Sequence, residues 1–368
     1  MIKSGRSEMK AVILVGGKAT RLLPITSNIP KAMVPVLNTP FLEHVICHLR
    51  RHKITEIILS IGNLAGPIQS YFGDGSRLGV KISYAIENTP LGTAGGLKNA
   101  AGSLDEAFVA LNGDVFTDLD ITALVAFHRR KKATATIALT RVEDPTAYGV
   151  IGTNDQGRVS LFQEKPCRDE AISNMINAGT YILEPDVLAK VPPGTQVSIE
   201  REVFPGLLAQ GASVYGYSSS AYWLDIGTHE KYLQVHYDLL NGKCRQYVLD
   251  LKQEVTIGAG STIHPSARIT GPVLIGANCT IGREVTLIGP AVIGTGCSLM
   301  ENSVVEKSVI WPDIRIGPRA SVKNSILADH CRLNADSIVE EAVLGCNVTV
   351  RGGCRIVPGS RILAGTTF

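Results

Sequence analysis

No apolar run in the 368-residue chain approaches the ~18 residues needed to span a bilayer, which argues against a membrane-spanning helix, and no membrane partner is expected. The opening MIKSGRSEMK lacks the hydrophobic core of a secretion signal, and Met9 is a candidate natural start after a loose extension. Charge of one sign is also missing. The net charge is +3, with 11 Lys+Arg against 9 Asp+Glu in residues 251–368 and 25 against 24 before them. That leaves no basic face for a nucleic acid, and Arg129-Arg130-Lys131-Lys132 reads as a solvated helix end. The eight cysteines form no C-x-x-C pair, which argues against a zinc site or a disulfide framework. Generic phosphate motifs are absent too. A Walker A loop would need Gly at 12 and Ser or Thr at 19, where Val12 and Ala19 stand, and there is no G-x-G-x-x-G. What is present, 45% apolar and 19% charged residues, is the composition of a folded chain, and the expectation is a soluble, cytoplasmic protein of two domains.

The two parts follow different patterns. Short β-branched or apolar runs at Lys10–Val15, Thr55–Ile61, Val80–Ile86, Ala107–Leu111 and Ala133–Thr140 alternate with helical spacing, clearest where apolar residues fall at 41, 42, 45, 46 and 49. Strand–helix alternation predicts an α/β sheet, mostly parallel, with flanking helices. From Ile257 a six-residue period takes over: Ile257, Ile263, Ile269, Ile275, Ile281, Leu287, Ile293, Leu299 and Val305. The register then slips by one between Val305 and Ile310, Val322 and Leu327, and Val339 and Leu344. Three hexads per coil describe a triangular solenoid of stacked short strands, the slips being coils one residue shorter. Gly at 258, 276, 282, 294, 317 and 345 is expected to serve tight turns. Cys279 and Cys297, 18 residues apart, are expected to stack. Residues 9–240 and 253–368 are the two expected domains, with 241–254 as connector.

Chemistry concentrates just past the first strand, in GGKATRLLPITSNIPK, residues 16–31. Gly16 and Gly17 let backbone N–H groups approach a phosphate chain, and Arg21 and Lys31 supply fixed cations; a plain structural turn explains the glycines equally well. Asp114 ends an apolar strand and Asp225 lies in a second strand-to-turn segment, and each has a cap or turn role as its alternative. Together, with no His or Cys beside them, they suit Mg²⁺. Asp118 and Asp120 read as surface turn residues. His44, His48 and His52 repeat at i, i+4, a spacing able to bind zinc, but they flank an apolar stripe and have no evident fourth ligand.

The motifs, taken in order, resemble the sugar-1-phosphate nucleotidyltransferases (nucleotide-sugar pyrophosphorylases). The residue 16–31 segment is similar to the family's GG-x-G-T-R-L-x-P-L-T…P-K, with Ala19 where the family has Gly. Pro90-Leu91-Gly92-Thr93-Ala94-Gly95 resembles the nucleobase loop, and Asn112-Gly113-Asp114 the metal-binding strand end. Tyr148-Gly149-Val150, Phe162-Gln163-Glu164-Lys165-Pro166 and Asn177-Ala178-Gly179 resemble the sugar-phosphate pocket, and Trp223-Leu224-Asp225-Ile226-Gly227-Thr228 the second metal carboxylate. The resemblance implies a Rossmann-like, mixed, mostly parallel sheet followed by a left-handed parallel β-helix.

It also implies roles. Val15, Gly16, Gly17, Thr20, Arg21, Glu87, Pro90, Gly92 and Thr93 would bind the nucleotide, and Gly149, Glu164, Lys165 and Asn177 the sugar phosphate. Asp114 and Asp225 would hold Mg²⁺. The sugar-1-phosphate oxygen attacks the α-phosphorus of a nucleoside triphosphate; Arg21 and Lys31 neutralise the triphosphate and Lys165 holds the attacking phosphate, so Arg21, Lys31 and Lys165 form the catalytic set. A carboxylate only accepts hydrogen bonds, so Glu87 beside a base edge would favour guanine, with its adjacent N1–H and N2–H donors, and hence GTP with mannose-1-phosphate. The alternative for Glu87 is a loop cap. Rival readings are glucose-1-phosphate with dTTP, UTP or ATP, a solenoid acyltransferase, and a non-catalytic regulatory subunit. The solenoid is expected to make homo-oligomers.

Overall fold

A computed structural model describes residues 9–17, 19–62, 64–244 and 254–368. The expected extension 1–8, Lys18 and most of the expected connector (245–253) lie outside the described residues. In chain order the strands before the solenoid include β1 (Ala11–Leu14), β2 (Pro35–Val36), β3 (Thr39–Pro40), β4 (Glu56–Ile61), β5 (Lys81–Ile86), β6 (Phe108–Asn112), β7 (Val115–Thr117), β8 (Ala135–Arg141), β9 (Gly149–Thr153), β10 (Val159–Glu164), β11 (Met175–Leu183) and β12 (Val214–Ser218). The helices are α1 (Phe41–Arg51), α2 (Ala65–Phe72), α3 (Gly92–Ala100), α4 (Ile121–Lys131), α5 (Phe204–Ala209) and α6 (His229–Leu240). The chain folds into two compact units that do not follow chain order: residues up to 17 with 45–223, and 18–44 with 224–368.

The first unit is built on a nine-stranded mixed sheet. Its parallel part, β5-β4-β1-β6, arises from the strand–helix alternation, because each parallel return needs a crossover. β11 then runs antiparallel to β6, β8 and β9, and β12 pairs parallel with β8. Val12, Leu97, Phe108, Tyr181 and Phe204 are among the buried core. The carboxyl ends of β1 and β6 lie side by side, Leu14 opposite Asn112, which brings Val15–Gly17 and Asn112–Asp114 to one edge, where ligands of α/β sheets bind. The basic run ends α4, where cations suit the helix dipole. Arg130 and Lys131 lie over the Phe127 ring and Lys131 donates to the Gln156 carbonyl.

The second unit contains the solenoid. Three parallel sheets of seven, six and six strands stack as expected for a left-handed β-helix. Their registers follow the hexads: Ile275, Ile293, Ile310, Leu327 and Leu344 on one face, Ile281, Leu299, Ile316 and Leu333 on the next, and Leu287, Val305, Val322 and Val339 on the third. These side chains are buried, each contributing about 1.5–3 kcal/mol of hydrophobic stabilisation. The shortened corners turn on one left-handed residue (Lys307, Asn324 or Glu341), as the longer ones do, and serines at these corners staple successive coils. Ser308 Oγ accepts from Ser325 N and Ser325 Oγ from Ala342 N, both at 3.1 Å.

The repeat glycines act differently from the expectation. Gly258, Gly276 and Gly294 are not at positive φ; left-handed backbone falls two residues later, at Gly260, Asn278 and Gly296. What excludes a side chain is the next coil. A Cβ at Gly294 would lie 2.4 Å from the Trp311 carbonyl carbon, and one at Gly276 2.6 Å from Thr295 N. Cys279 and Cys297 are both buried, their residues stacked through the Thr280 N–H to Cys297 carbonyl bond, and all eight cysteines are free.

Candidate active site

The Gly16–Lys31 stretch crosses from one unit to the other. Gly16 and Gly17 are exposed at the end of β1, Gly17 at φ 142°, which a side chain would disfavour, and Val15 N donates to Ser60 O at 2.8 Å. Ala19 is left-handed (φ 42°, ψ 33°), so the resemblance's glycine position does need positive φ, and this chain bears the strain. Thr20 and Arg21 sit in the following 3-10 turn, with Arg21 exposed.

In the first unit, Glu87 is nine-tenths buried. Its Oε1 lies 2.8 Å from Ser60 Oγ and its Oε2 accepts from Leu91 N at 3.1 Å. The carboxylate therefore braces the nucleobase loop from within, and the direct base-edge contact expected of it has little exposed oxygen to use. That loop docks on the chain at 195–199: Val197 O accepts from Ala94 N, and a Cβ on Gly92 would meet Val197 O at 2.7 Å. Thr93 Oγ1 donates to Glu200 Oε2 at 2.8 Å, and Pro90 is exposed. Glu200 was not singled out from sequence; it also accepts from Ser198 Oγ.

Asn112-Gly113-Asp114 follows from close packing. Gly113 N donates to Leu14 O at 2.9 Å, and a Cβ there would sit 2.5 Å from that oxygen, so the turn presenting Asp114 admits only glycine. The Asn112 side chain abuts Gly179, with its Oδ1 buried and unbonded within the described residues. The sugar-phosphate motifs come together around this point. Gly149 faces Glu164, where a Cβ would lie 3.0 Å from Oε2, and Lys165 N donates to Tyr148 O. Asn177 bonds Tyr181 OH at 2.8 Å and Gly179 N at 2.9 Å, and Trp223 Nε1 donates to Ala178 O. Burial, then the charge of Glu200, raises the Glu164 carboxyl above its usual range against the opposing Lys165 charge. Lys165 itself is left-handed (φ 52°) and 56% exposed, with Nζ 3.9 Å from Glu164 Oε1.

In the second unit, Asp225 Oδ2 is paired with Lys231 Nζ at 2.9 Å and its Oδ1 accepts from Gly227 N at 2.6 Å. Burial pushes this carboxyl up. The Lys231 bond and charge, with Lys31 and the Gly227 N–H behind them, outweigh burial and hold it below the usual range. A Cβ at Gly227 would meet both Asp225 Oδ1 and Arg21 Nη2, so Arg21, Lys31, Lys231 and Asp225 form one charged cluster. Lys231 escaped the sequence reading, although a cation in the first turn of a helix runs against the helix dipole and so signals a partner elsewhere.

Other expectations resolve locally. Asp120 caps α4, accepting from Ala123 N, and Asp118 Oδ1 receives Tyr222 N at 2.7 Å rather than lying idle at the surface. The three histidines spaced along and just after α1 each bond elsewhere: His44 bonds Val36 O, His48 bonds Leu119 O and His52 bonds Thr122 Oγ1.

The family model described as "Nucleotidyl transferase" matches residues 10–242, and one described as "GMPPB C-terminal domain" matches residues 283–365. The chain belongs to the nucleotidyl transferase family. It is 40% identical over 267 residues to the mannose-1-phosphate guanylyltransferase of Mycobacterium tuberculosis, covering 72% of this chain and 74% of the relative. It is 38% identical over 338 residues to the UTP–glucose-1-phosphate uridylyltransferase of Synechocystis, covering 87% of each. A solved structure of HddC from Yersinia pseudotuberculosis, complexed with GMP-PN, matches with TM-score 0.54 and 29% identity, over 62% of this chain and 97% of that one. Nucleotidyl transferases of this family generally use a divalent metal.

Proposed function

We propose that the protein joins GTP and mannose-1-phosphate to give GDP-mannose and pyrophosphate. The observation that carries this reading is the Arg21–Lys31–Asp225 cluster in a chain whose family transfers nucleotidyl groups. Guanine and mannose are favoured by the Mycobacterium relative, named a mannose-1-phosphate guanylyltransferase, and guanine also by the GMP-PN complex, now that Glu87 serves as a loop brace. Residues 9–240 are the catalytic domain in this reading, and 253–368 the hexapeptide domain through which copies assemble. Eight free thiols support a reducing, cytoplasmic setting; among the described residues no helix is long and apolar enough to cross a membrane.

A phosphate oxygen of mannose-1-phosphate attacks the α-phosphorus, and the bond to the β-phosphate breaks. The nucleophile is already anionic, so no general base is needed. Arg21 and Lys31 neutralise the triphosphate and the departing pyrophosphate, and Lys165 holds the attacking phosphate against repulsion. Glu164 and Asn177 accept from and donate to sugar hydroxyls, and Gly149 leaves room beside Glu164. Val15, Gly16, Gly17, Thr20, Pro90, Gly92 and Thr93 shape the nucleotide loops. Asp114 and Asp225 would hold Mg²⁺: the donors are hard carboxylate oxygens, and Asp225 is kept ionised. The ion, when bound, would supply charge neutralisation on the phosphates.

Pyrophosphate release measured over a grid of GTP, dTTP, UTP and ATP against mannose- and glucose-1-phosphate tests the reading, with GTP and mannose-1-phosphate expected to give the highest kcat/KM. The Synechocystis relative favours a second outcome, UTP with glucose-1-phosphate. No turnover with any pair would refute both.

A further inference from the structure

The segment carrying Arg21 and Lys31 has little order of its own. It is built of turns: two single-turn 3-10 helices, Thr20–Leu22 and Lys31–Met33, the β2–β3 hairpin, and short-range bonds such as Ile25 N to Leu22 O and Thr26 Oγ1 to Ala19 O, with no longer helix or sheet strand to stiffen it. It is tied from outside by α6 and the solenoid, all within the second unit. The His229 ring bonds the carbonyl of Leu22, next to Arg21, at 3.1 Å. The Tyr232 hydroxyl donates to the carbonyl of Pro35, four residues after Lys31. Between these two, Lys231 reaches Asp225. The first turn of α6 thus grips both ends of the cationic segment and the carboxylate beside it.

The solenoid grips α6 in turn. The Trp311 indole N–H donates to Tyr232 Oη at 2.9 Å, and the Tyr237 hydroxyl donates to Lys307 O. It also holds the segment directly: Asn38 Nδ2 donates to Ile293 O at 2.9 Å, and Asn28 Nδ2 to Cys346 Sγ. Trp311 breaks the repeat to do this. The equivalent position is Gly at 258, 276, 294 and 345, Ala at 328 and Leu in the last coil at 363, so one inner coil places a large aromatic where its two neighbours, Gly294 and Ala328, have almost nothing. Tyr232 is fully buried and Trp311 is 3% exposed. An indole N–H only donates, so it occupies the phenol oxygen as acceptor and leaves the single hydroxyl proton for Pro35.

We infer that the solenoid is a positioning element for the nucleotide reaction, acting through the Trp311–Tyr232–Pro35 relay on the segment that presents Arg21 and Lys31. Trp311 and Tyr232 are positioning residues, and the inference rests on the reading of Arg21 and Lys31 as triphosphate ligands. Losing the relay loosens the placement of the two cations on the triphosphate, and a misplacement of about 1 Å costs up to ~100-fold.

The test uses the full chain carrying Trp311→Phe, Tyr232→Phe and both together, with Arg21→Ala as reference. KM is measured for each substrate forward and for pyrophosphate in reverse, beside melting curves. The expected result is a rise of roughly 5- to 20-fold in KM for nucleotide and pyrophosphate. The sugar-phosphate KM stays within about twofold, and the double variant is no worse than the worse single, because both act through one chain of bonds. Nucleotide and pyrophosphate KM unchanged in the Phe variants while Arg21→Ala raises them would overturn the inference alone. If Arg21→Ala leaves them unchanged, the functional reading falls and this inference with it. Should Tyr232→Phe fail to fold, Trp311→Phe and Asn38→Ala carry the same comparison.

Discussion

Replacing Lys231 by Met tests the charged cluster most directly. Asp225 and Lys231 side chains are 15% and 32% exposed, and their contact is a 2.9 Å charged hydrogen bond. Such bonds contribute about 1.5–3 kcal/mol; with Lys231 about a third exposed, solvent screening brings the expectation to about 1–2 kcal/mol. For a unit of this size that lowers the melting temperature by about 2–8 °C. The pH dependence has a definite sign. Because Asp225 is held below the usual carboxylate range, its contribution is present above the unfolded Asp value and is lost as pH falls through the folded one. The gap between native and Lys231→Met melting temperatures therefore narrows on acidification below about pH 4. A second arm reads the proposed metal. Lys231 occupies an oxygen that a cation would use, so Mn²⁺ or Mg²⁺ affinity, followed by calorimetry without substrates, rises about 5- to 30-fold in the variant, the same free energy expressed as binding. An unchanged melting temperature at neutral pH together with unchanged ion affinity would refute the argument.

Ala19→Gly relieves a left-handed alanine; against the greater freedom of glycine in the unfolded chain the net gain is about 0.5–1 kcal/mol, visible as a higher melting temperature at unchanged activity. His48 and His236 are buried and held neutral, their pKa values lowered by burial to about 3 and about 4. The unfolded chain takes up protons below about pH 6.5 where the folded one does not. Each therefore removes up to ~1.4 kcal/mol of stability per pH unit on acidification, to be seen as melting temperatures falling between pH 7 and 5; a flat profile contradicts it. Burial pushes the Cys297 and Cys331 thiols up to about 12, so iodoacetamide labels exposed Cys167 in the native protein well before either, and the order collapses in denaturant.

Much of this molecule is legible residue by residue. The hexads that name Ile293, Ile310 and Leu327 as one buried column, slips included, are a local rule: each short strand must offer one apolar side chain inward, and the coil length sets which residues stack. The strand ends before Gly16 and Asp114 are equally local, because an apolar run and a close turn announce themselves in a few residues. Polar partnership is not local. Nothing near Glu87 says that Ser60, 27 residues earlier, lies against its carboxylate and that the loop amide of Leu91 takes the other oxygen, turning an expected base contact into a brace. Trp311 and Tyr232 meet across 79 residues, and Tyr232 and Pro35 across 197. The sequence by itself determined the two architectures, the order of the motifs and the residue types that chemistry requires. Only the tertiary structure decided that residues 18–44 belong with the solenoid and that Lys231 answers Asp225, because a half-buried charge takes whichever partner the packing of its surroundings brings within three ångströms.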